Sequence, residues 1–270
     1  MRIVLLCSAQ ANQTALANKI AAAFDLAGIV VEQKPVNRPK VFTFKNITRK
    51  VIDKLFFSKI GGAWQQMLQF YRSTDKNLPA VKTLEVQNIN DDSVKSFIQE
   101  IKPDLVMVSG TTLLRKNILS IPLPIGIVNL HTGLSPYIKG SPNCTNWCIA
   151  EKQFHLIGNS IMWIDAGIDS GDLLSTAIVK FTGNESLAGI HIKVMEEAHA
   201  LYLGALTGIA AGNAKKVKQS SIAAGRTYYS KNWNFKAKRN LLKNLKYFSK
   251  EVNTPEYLKK IEGTVRVHAG

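Results

Sequence analysis

Three polar side chains of this sequence have the types and the spacing of a catalytic group. Asn129 and His131 stand two positions apart at the end of an apolar run, so on a β-strand they would project to the same side. Asp169 follows in the segment 165–171, whose two carboxylates and two glycines indicate a tight turn. An amide donor, an imidazole that exchanges protons near neutral pH and a carboxylate suit acyl transfer. We therefore predict that Asn129, His131 and Asp169 form a catalytic centre.

Each of the three residues has a plainer interpretation when it is taken alone. A single asparagine at a strand end is usually a cap or turn residue, and a single histidine is usually a satisfied surface or core group. An aspartate before a Ser-Gly pair is most often part of a turn. The catalytic interpretation depends on finding all three residues in this order.

Short apolar runs alternate with helical periodicity around the polar residues. The runs predict buried strands, and they cover residues 3–7, 27–31, 105–108 and 126–130. A strand–helix–strand start predicts an α/β fold, namely a Rossmann-like, doubly wound and mostly parallel sheet. Ligands of such sheets bind beyond the carboxyl ends of the strands, where Asn129 and His131 stand. The first strand is not followed by Gly-x-Gly-x-x-Gly, which disfavours a dinucleotide cofactor.

Two segments interrupt this alternation. Residues 34–88 open with Pro35 and Pro39 and contain two amphipathic patterns, so we interpret them as a helical insertion. The last part of the chain has short basic and aromatic stretches. We predict a catalytic domain over residues 1–211 and a small basic C-terminal extension over residues 212–270.

The net charge of +16 is concentrated in these two segments. Residues 34–60 have eight basic residues and one acidic residue, and residues 211–270 have fourteen basic and three acidic residues. Such patches are typical of surfaces for phosphate-bearing partners: a nucleotide-linked substrate, a nucleic acid or an anionic membrane face. Solvated helix faces that only keep the protein soluble are an equally good interpretation.

The cysteines and the N-terminus indicate a cytoplasmic protein. The chain has three cysteines, and an odd number without a secretory signal predicts reduced thiols. Cys144 and Cys148 are spaced for one face of a helix rather than for a zinc site, so we predict no metal. The first apolar run is too short for a signal peptide or a membrane span.

Three motifs in this order resemble one known family. Asn-x-His at residues 129–131 is followed by Leu-x-Pro-x-x-x-Gly at residues 134–140 and by Asp-x-Gly-x-Asp-Ser-Gly at residues 165–171. Here the sequence is similar to the 10-formyltetrahydrofolate-dependent formyltransferases, which include glycinamide ribonucleotide, methionyl-tRNA and amino-sugar formyltransferases. The resemblance extends over residues 103–180 and does not cover the insertion or the C-terminal extension.

The resemblance implies a role for individual residues. The family's catalytic asparagine, histidine and aspartate fall on Asn129, His131 and Asp169. The donor 10-formyltetrahydrofolate would be held by two loops, which comprise Ser109, Gly110, Thr112, Leu113 and Leu114, and then Ile164, Asp165 and Ile168. The acceptor would meet a loop that contains Gly133, Leu134, Ser135 and Lys139. A common family form of this loop reads Ser-Leu-Leu-Pro, so the Gly-Leu-Ser-Pro found here bears on the identity of the acceptor.

The resemblance implies an N-formyltransferase that acts on a primary amine, and the sequence leaves the acceptor open. An amino sugar on a nucleotide is the leading hypothesis, because its phosphates suit the basic segments. The aromatic residues near 228–235 could stack on its base or sugar, or they could form a small packed core. Methionyl-tRNA and glycinamide ribonucleotide are the alternative acceptors. A formyltetrahydrofolate deformylase and a non-catalytic nucleic-acid-binding protein on the same fold are alternative functions, and a homodimer is left open.

Overall fold

The computed structural model describes residues 1–33, 51–164 and 171–268. Its strands are β1 (Arg2–Ser8), β2 (Asp25–Glu32), β3 (Lys82–Val86), β4 (Leu105–Ser109), β5 (Gly126–His131), β6 (Ile138–Gly140), β7 (Gly158–Trp163), β8 (Leu173–Ile178) and β9 (Arg226–Tyr228). Its helices are α1 (Ala11–Ala23), α2 (Ser58–Thr74), α3 (Asp92–Ile101), α4 (Lys116–Leu119), α5 (Cys144–Ala150), α6 (Leu187–Ala210), α7 (Phe235–Glu251) and α8 (Pro255–Glu262).

A seven-stranded sheet in the order β3-β2-β1-β4-β5-β7-β8 forms the centre of the molecule. The strands from β3 to β5 are parallel, and β7 and β8 pair in antiparallel fashion at the other edge. The central strands β1 and β4 are apolar almost throughout because both faces of the sheet are covered. The predicted Rossmann-like, mostly parallel α/β sheet is confirmed.

The edge strand β3 lies inside the segment that we interpreted as a helical insertion. Residues Lys82–Val86 pair in parallel with β2, from Gly28 opposite Lys82 to Glu32 opposite Val86. Three of the five side chains of β3 are exposed, so the strand lacks the apolar pattern of the central strands. The interruption of the sheet therefore ends before Lys82, and the chain returns to the sheet earlier than we predicted.

Helices cover both faces of the sheet. On one face, Leu16 of α1 and Ala198 and Tyr202 of α6 belong to a single buried cluster with the strands. On the other face, Phe97 and Ile98 of α3 belong to a second buried cluster. These two layers fix the strands whose carboxyl ends carry the predicted site.

The hydroxyl group of Tyr202 joins two of these strands. It accepts a hydrogen bond from the backbone N–H of Val108 at 3.0 Å and donates one to the carbonyl oxygen of Val128 at 2.8 Å. Burial raises the pKa of Tyr202, so the hydroxyl keeps its proton for this bond. Val108 precedes Ser109 and Val128 precedes Asn129, so Tyr202 fixes the positions from which two predicted site residues project.

The C-terminal extension is joined to the catalytic body by a small parallel sheet. Strand β9 pairs with β6, and the backbones approach so closely that a Cβ atom on Gly140 would lie 2.1 Å from the carbonyl oxygen of Tyr228. Gly140 also has a φ of +92°, a conformation that favours glycine. The rings of Trp147 and Tyr228 stack with their centroids 4.6 Å apart. Residues beyond 212 therefore pack as a continuation of the body.

Candidate active site

A cleft of about 2130 Å³ opens at the carboxyl ends of the parallel strands. Asn129 and His131 both line it, on the partly exposed side of β5, where buried and half-buried residues alternate. Asn129 lies opposite Val108 of β4 and opposite Met162 of β7. The structure thus brings two of the three predicted catalytic residues to the same wall, as their spacing on a strand requires.

The third predicted catalytic residue, Asp169, lies outside the described residues, as do Asp165 and Ile168. The chain on either side of them borders the cleft, because both Ile164 and Gly171 line it. The backbone N–H of Ile164 donates a hydrogen bond to the carbonyl oxygen of Ile127 at 2.9 Å, which fixes the start of the segment next to β5. The roles of Asp165, Ile168 and Asp169 stay predictions.

The imidazole of His131 packs against the loop that follows it. Its Nε2 atom lies 3.5 Å from Sγ of Cys144, and this thiol also donates a hydrogen bond of 3.5 Å to the carbonyl oxygen of Gly140. A Cβ atom on Gly133 would lie 2.4 Å from Nε2 of His131 and 2.7 Å from Sγ of Cys144. A side chain at position 133 therefore requires His131 or Cys144 to move.

The loop after β4 forms a second wall of the cleft. It contains the residues predicted to bind the donor, and those that line the cleft are Ser109, Gly110, Thr112, Leu113 and Leu114. Gly110 has a φ of +71°, and a Cβ atom there would approach Ser8 and Gln13 to 3.1 Å. Glycine lets the chain turn sharply at the end of β4 and places the next residues over the cleft.

A carboxylate that the sequence analysis missed holds this loop in place. Glu32, at the end of β2, is 8% exposed and lines the cleft. It accepts hydrogen bonds from the backbone N–H and the hydroxyl of Thr112, both at 2.6 Å, and from the backbone N–H of Ile89 at 3.1 Å. Its only sequence signal was a carboxylate that directly follows an apolar run.

Asn90 supports the next residues of the same loop. Its Oδ1 accepts a hydrogen bond from the backbone N–H of Arg115 at 2.6 Å, and its Nδ2 donates one to the carbonyl oxygen of Leu113 at 3.0 Å. The loop after β4 is therefore tied at both Thr112 and Leu113. Leu113 is nevertheless 59% exposed in the wall of the cleft.

Apolar side chains line the same cleft. They are Leu123, Ile127, Trp163 and Ile164, together with Leu114 of the loop itself. A slot with apolar walls and backbone polar groups at its edge suits a flat, polar-edged ring system such as a pterin. The chemistry of these residues therefore fits the donor that the sequence resemblance implies.

The predicted acceptor loop turns most of its side chains inward. Leu134 and Ser135 are buried, and the hydroxyl of Ser160 accepts a hydrogen bond from the backbone N–H of Ser135 and donates one to the carbonyl of Gly133, both at 2.8 Å. Among the described residues that line the cleft, this part of the chain contributes Thr132, Gly140, Ser141, Pro142, Asn143 and Cys144, but not Gly133, Leu134, Ser135 or Lys139. The first half of the loop thus supports the wall, and its second half faces the cleft.

The C-terminal extension forms the neighbouring part of the wall with Thr227, Tyr228 and Tyr229. The hydroxyl of Tyr228 donates a hydrogen bond of 2.7 Å to Glu151, which also forms an ion pair with Arg226 at 2.9 Å. Burial, together with this hydrogen bond, raises the pKa of Tyr228 and keeps its hydroxyl protonated. Tyr228 is buried against Trp147, whereas Tyr229 is half exposed. The aromatic cluster of the extension thus supplies both a packed core and an accessible ring.

The interrupting segment also reaches the cleft, through Trp64 of α2. The indole ring contacts the edge of His191 with 5.6 Å between centroids. His191 is buried, and this burial lowers its pKa to about 4, so the imidazole is neutral at physiological pH. His191 therefore supports Trp64 and adds no charge beside the cleft.

Residues 1–33, 51–164 and 171–268 hold no cluster of three or more His, Cys, Asp or Glu side chains arranged for a metal ion. They also include no helix of the length and apolar character needed to cross a membrane. The three cysteines are buried, and Cys144 and Cys148 share one helix as their spacing predicts.

Comparison with curated proteins finds relatives of the catalytic body. A methionyl-tRNA formyltransferase of Clostridium tetani is 29% identical over 175 residues, which cover 61% of this chain and 56% of that protein. The chain thus spans about half the length of the curated relatives that it matches.

Solved structures share the fold at low sequence identity. A sugar N-formyltransferase from a Shewanella species superposes with a TM-score of 0.56 at 13% identity, covering 99% of this chain and 96% of that chain. An N-formyltransferase from Helicobacter canadensis, in complex with folinic acid and dTDP-3-aminofucose, gives a TM-score of 0.55 at 12% identity, covering 93% of this chain and 83% of that chain. These two likenesses concern the fold alone.

The family assignment comes from a direct sequence match. The family model for formyl transferase matches residues 1–206, a range that includes β5 with Asn129 and His131 and the loop after β4. Since this match covers well over half of the 270 residues, the chain belongs to the formyl transferase family.

Proposed function

We propose that this protein is an N-formyltransferase that moves the formyl group of 10-formyltetrahydrofolate to the primary amine of an amino sugar carried on a nucleotide. The observation that carries the proposal is that Asn129 and His131 share one wall of a large cleft in a chain of the formyl transferase family. Asp169 is the third member of the proposed centre and is assigned from its motif at residues 165–171.

We assign the donor to the part of the cleft that is lined by the loop after β4 and by the apolar side chains of Leu123, Ile127, Trp163 and Ile164. Bound there, 10-formyltetrahydrofolate supplies the formyl carbon that is transferred. Glu32 and Asn90 fix the loop before binding, so little loop ordering opposes it. Ile164, at the start of the 165–170 segment, closes the apolar side.

The catalytic residues perform two tasks in this proposal. Asn129 donates an amide hydrogen bond to the formyl oxygen, where negative charge develops as the amine attacks; one such donor typically contributes about 10²–10³-fold in rate. His131 takes up a proton from the amine and returns it to the folate nitrogen as the bond between that nitrogen and the formyl carbon breaks, so the products are the formylated amine and tetrahydrofolate. Asp169 orients the imidazole and favours its charged form.

The acceptor end is assigned to the side built by α5, β6 and the C-terminal extension. Tyr229 presents a half-exposed ring there, and rings of this kind stack on nucleobases and sugars. Residues 34–60 and 211–270 together have a net charge of +18, whereas the rest of the chain is nearly neutral, and this concentration of positive charge attracts a diphosphate. The Helicobacter canadensis protein, which shares the fold, was crystallised with a nucleotide-linked amino sugar, and this supports the same class of acceptor.

Methionyl-tRNA is the second candidate acceptor. The curated relatives are methionyl-tRNA formyltransferases, and the basic segments suit a polyanion. The chain spans about half the length of these relatives. We favour the nucleotide-linked amino sugar because Tyr229 presents an accessible ring at the cleft, and because the Helicobacter canadensis protein was crystallised with an acceptor of this class.

An acceptor panel tests the proposal. The purified protein is incubated with 10-formyltetrahydrofolate and, in separate reactions, with nucleotide-linked amino sugars, glycinamide ribonucleotide or methionyl-tRNA, and formylated product is measured by mass spectrometry. We expect product from at least one nucleotide-linked amino sugar. Product from methionyl-tRNA alone would favour the second candidate, and loss of the formyl group without any amine would indicate a deformylase.

A further inference from the structure

An exposed apolar patch lies where residues 51–56 meet the start of α7. Residues 51–56 are helical, and four apolar residues among them stand at positions that share one helix face. The ring of Phe235 continues this face, with 6.3 Å between its centroid and that of Phe56. We call this surface the apolar patch, and it consists of Val51, Ile52, Leu55, Phe56 and Phe235. Each of them exposes between 38% and 69% of its surface.

The patch is held in shape from below. Phe57 is buried and contacts Phe235 edge to face with 5.0 Å between centroids. Lys238 of α7 forms an ion pair with Asp53 at 2.5 Å and lies 5.7 Å from the ring of Phe57. The two halves of the patch, which are far apart in sequence, are therefore held together by the ring contact and the ion pair, and the apolar side chains remain exposed.

Cations surround the patch. Lys54, Lys59, Lys236 and Arg239 are exposed beside it in the two chain segments. Asp53 is the only acidic residue in the sequence of residues 51–60 and 230–240, and its charge is matched by Lys238. The surface thus combines exposed aliphatic and aromatic groups with several cations that no carboxylate of these segments neutralises.

We infer that the apolar patch docks this protein on an anionic membrane surface. Apolar side chains that enter the boundary between headgroups and acyl chains, flanked by lysine and arginine side chains that meet anionic headgroups, are the features of interfacial binding. A contiguous exposed apolar patch on a soluble fold marks an interaction site. The complementary charge of the partner is negative.

The same features disfavour two other occupants. A second copy of the chain, docked patch to patch, would bring Lys54, Lys59, Lys236 and Arg239 against the same four cations. A nucleic acid would use the cations, but it offers little apolar surface to the aliphatic side chains of Val51, Ile52 and Leu55. A lipid surface satisfies both the charge and the apolar groups.

The patch is connected to the cleft through both of its chain segments. Helix α2 follows residues 51–56 directly and sends Trp64 into the cleft, while the residues before α7 include Tyr229. The two chain segments that touch the membrane would therefore also contribute residues to the walls of the cleft.

Vesicle sedimentation tests this inference without reference to catalysis. The full chain is mixed with vesicles of phosphatidylcholine alone or of phosphatidylcholine with phosphatidylglycerol, and the sedimented fraction is measured. We expect binding to the phosphatidylglycerol vesicles, loss of binding in Leu55→Glu/Phe56→Glu, and about fivefold weaker partition for each of Lys54→Gln and Lys236→Gln. Leu258→Glu, at an exposed leucine outside the patch, is the matched control and should bind like the wild type.

Three results would overturn the inference. The first is a wild-type chain that stays in the supernatant with both kinds of vesicle. The second is a Leu55→Glu/Phe56→Glu variant that sediments as the wild type does. The third is a dimer, measured by light scattering without lipid, that the same double substitution converts to a monomer, because the patch would then be the contact between two copies.

Discussion

The missing side chain of Gly133 makes room for the imidazole of His131. A Cβ atom at position 133 would lie 2.4 Å from Nε2 of His131, closer than real Cβ contacts occur. The backbone at Gly133 has little freedom to retreat, since its carbonyl oxygen accepts a hydrogen bond of 2.8 Å from the buried Ser160. A glycine that the resemblance assigned to acceptor binding thus acts first on the position of a predicted catalytic residue.

Gly133→Ala should therefore reduce turnover strongly. A displacement of about 1 Å at a reacting group costs on the order of 10²-fold in rate, and we expect an effect of this size in kcat. Gly204→Ala is the matched control: its position on α6 is exposed with nothing within 4 Å, so alanine should stabilise the helix by about 0.5–1 kcal/mol and leave kcat unchanged. Steady-state kinetics and urea denaturation of both variants check this, and wild-type turnover in Gly133→Ala would contradict it.

Asn129→Asp and His131→Gln should abolish most activity without unfolding the chain. The first replaces an amide donor by a carboxylate that repels the developing negative charge, and we expect a loss of at least about 10²–10³-fold in kcat. The second removes the group that takes the amine's proton. Single-turnover formyl transfer measures both, with thermal melting to confirm folding and His268→Gln as a control at an exposed histidine. Near-normal rates in either variant would remove that residue from the proposed centre.

The sequence predicted those site residues whose relative positions depend on neighbouring residues of one strand. Asn129 and His131 stand two residues apart, so the period of a strand alone places them on one side of β5. The role of Glu32 depends on Thr112, a residue 80 positions away, and no local pattern connects the two. It becomes visible only when β2 and β4 are placed on either side of β1 in the same sheet.

The strands that the sequence did not reveal are those with weak apolar patterns. β3 is an edge strand with mostly exposed side chains, and β9 has only three residues, Arg226–Tyr228. β9 forms because Gly140 lets the two backbones come together, which is a tertiary effect rather than a propensity of the segment itself. The extension consequently could be recognised by composition but not placed beside the cleft.

Glu32→Gln should raise the KM for the donor more than it lowers kcat. Glutamine has one acceptor oxygen and one NH₂ donor, so it cannot accept both of the backbone N–H hydrogen bonds, from Ile89 and from Thr112, that the two oxygens of Glu32 accept. An unsatisfied buried donor costs about 1–3 kcal/mol, which corresponds to a rise in KM of about fivefold to a hundredfold. Glu85→Gln, at an exposed position of β3, is the control. A change confined to kcat would show that Glu32 does not act through the donor loop.

The stability of the protein should fall between about pH 6.5 and pH 4 because of two histidines of α6. Burial lowers the pKa of His191 and of His199 to about 4, and Lys19 beside His199 acts in the same direction. The unfolded chain binds these protons near the reference value of about 6.5, so in this window it holds more protons than the folded chain and unfolding is favoured as the pH falls.

His191→Phe isolates one of these contributions. Phenylalanine keeps a ring against Trp64 and removes the titrating group. As the pH falls through the window, the free energy of unfolding of the variant should therefore decrease less steeply than that of the wild type, by about 1.4 kcal/mol per pH unit. Urea denaturation at a series of pH values measures the difference between variant and wild type, which cancels the contributions of the carboxylates. Parallel curves for the two proteins would show that His191 is not neutral in the folded state.

Tyr229→Ala should weaken the binding of the acceptor and leave the binding of the donor unaffected. The ring of Tyr229 is 51% exposed at the cleft, in the extension that β9 joins to β6, so its loss removes a stacking surface without opening the core. A stacked ring is worth about 1–3 kcal/mol per base, and we expect the acceptor KM to rise about fivefold or more while the donor KM stays within twofold, roughly the scatter of such measurements. Tyr247→Ala, at a partly exposed tyrosine of α7 outside the cleft, should change neither constant. Equal effects of the two substitutions on the acceptor KM would mean that the extension stabilises the fold without contacting the acceptor.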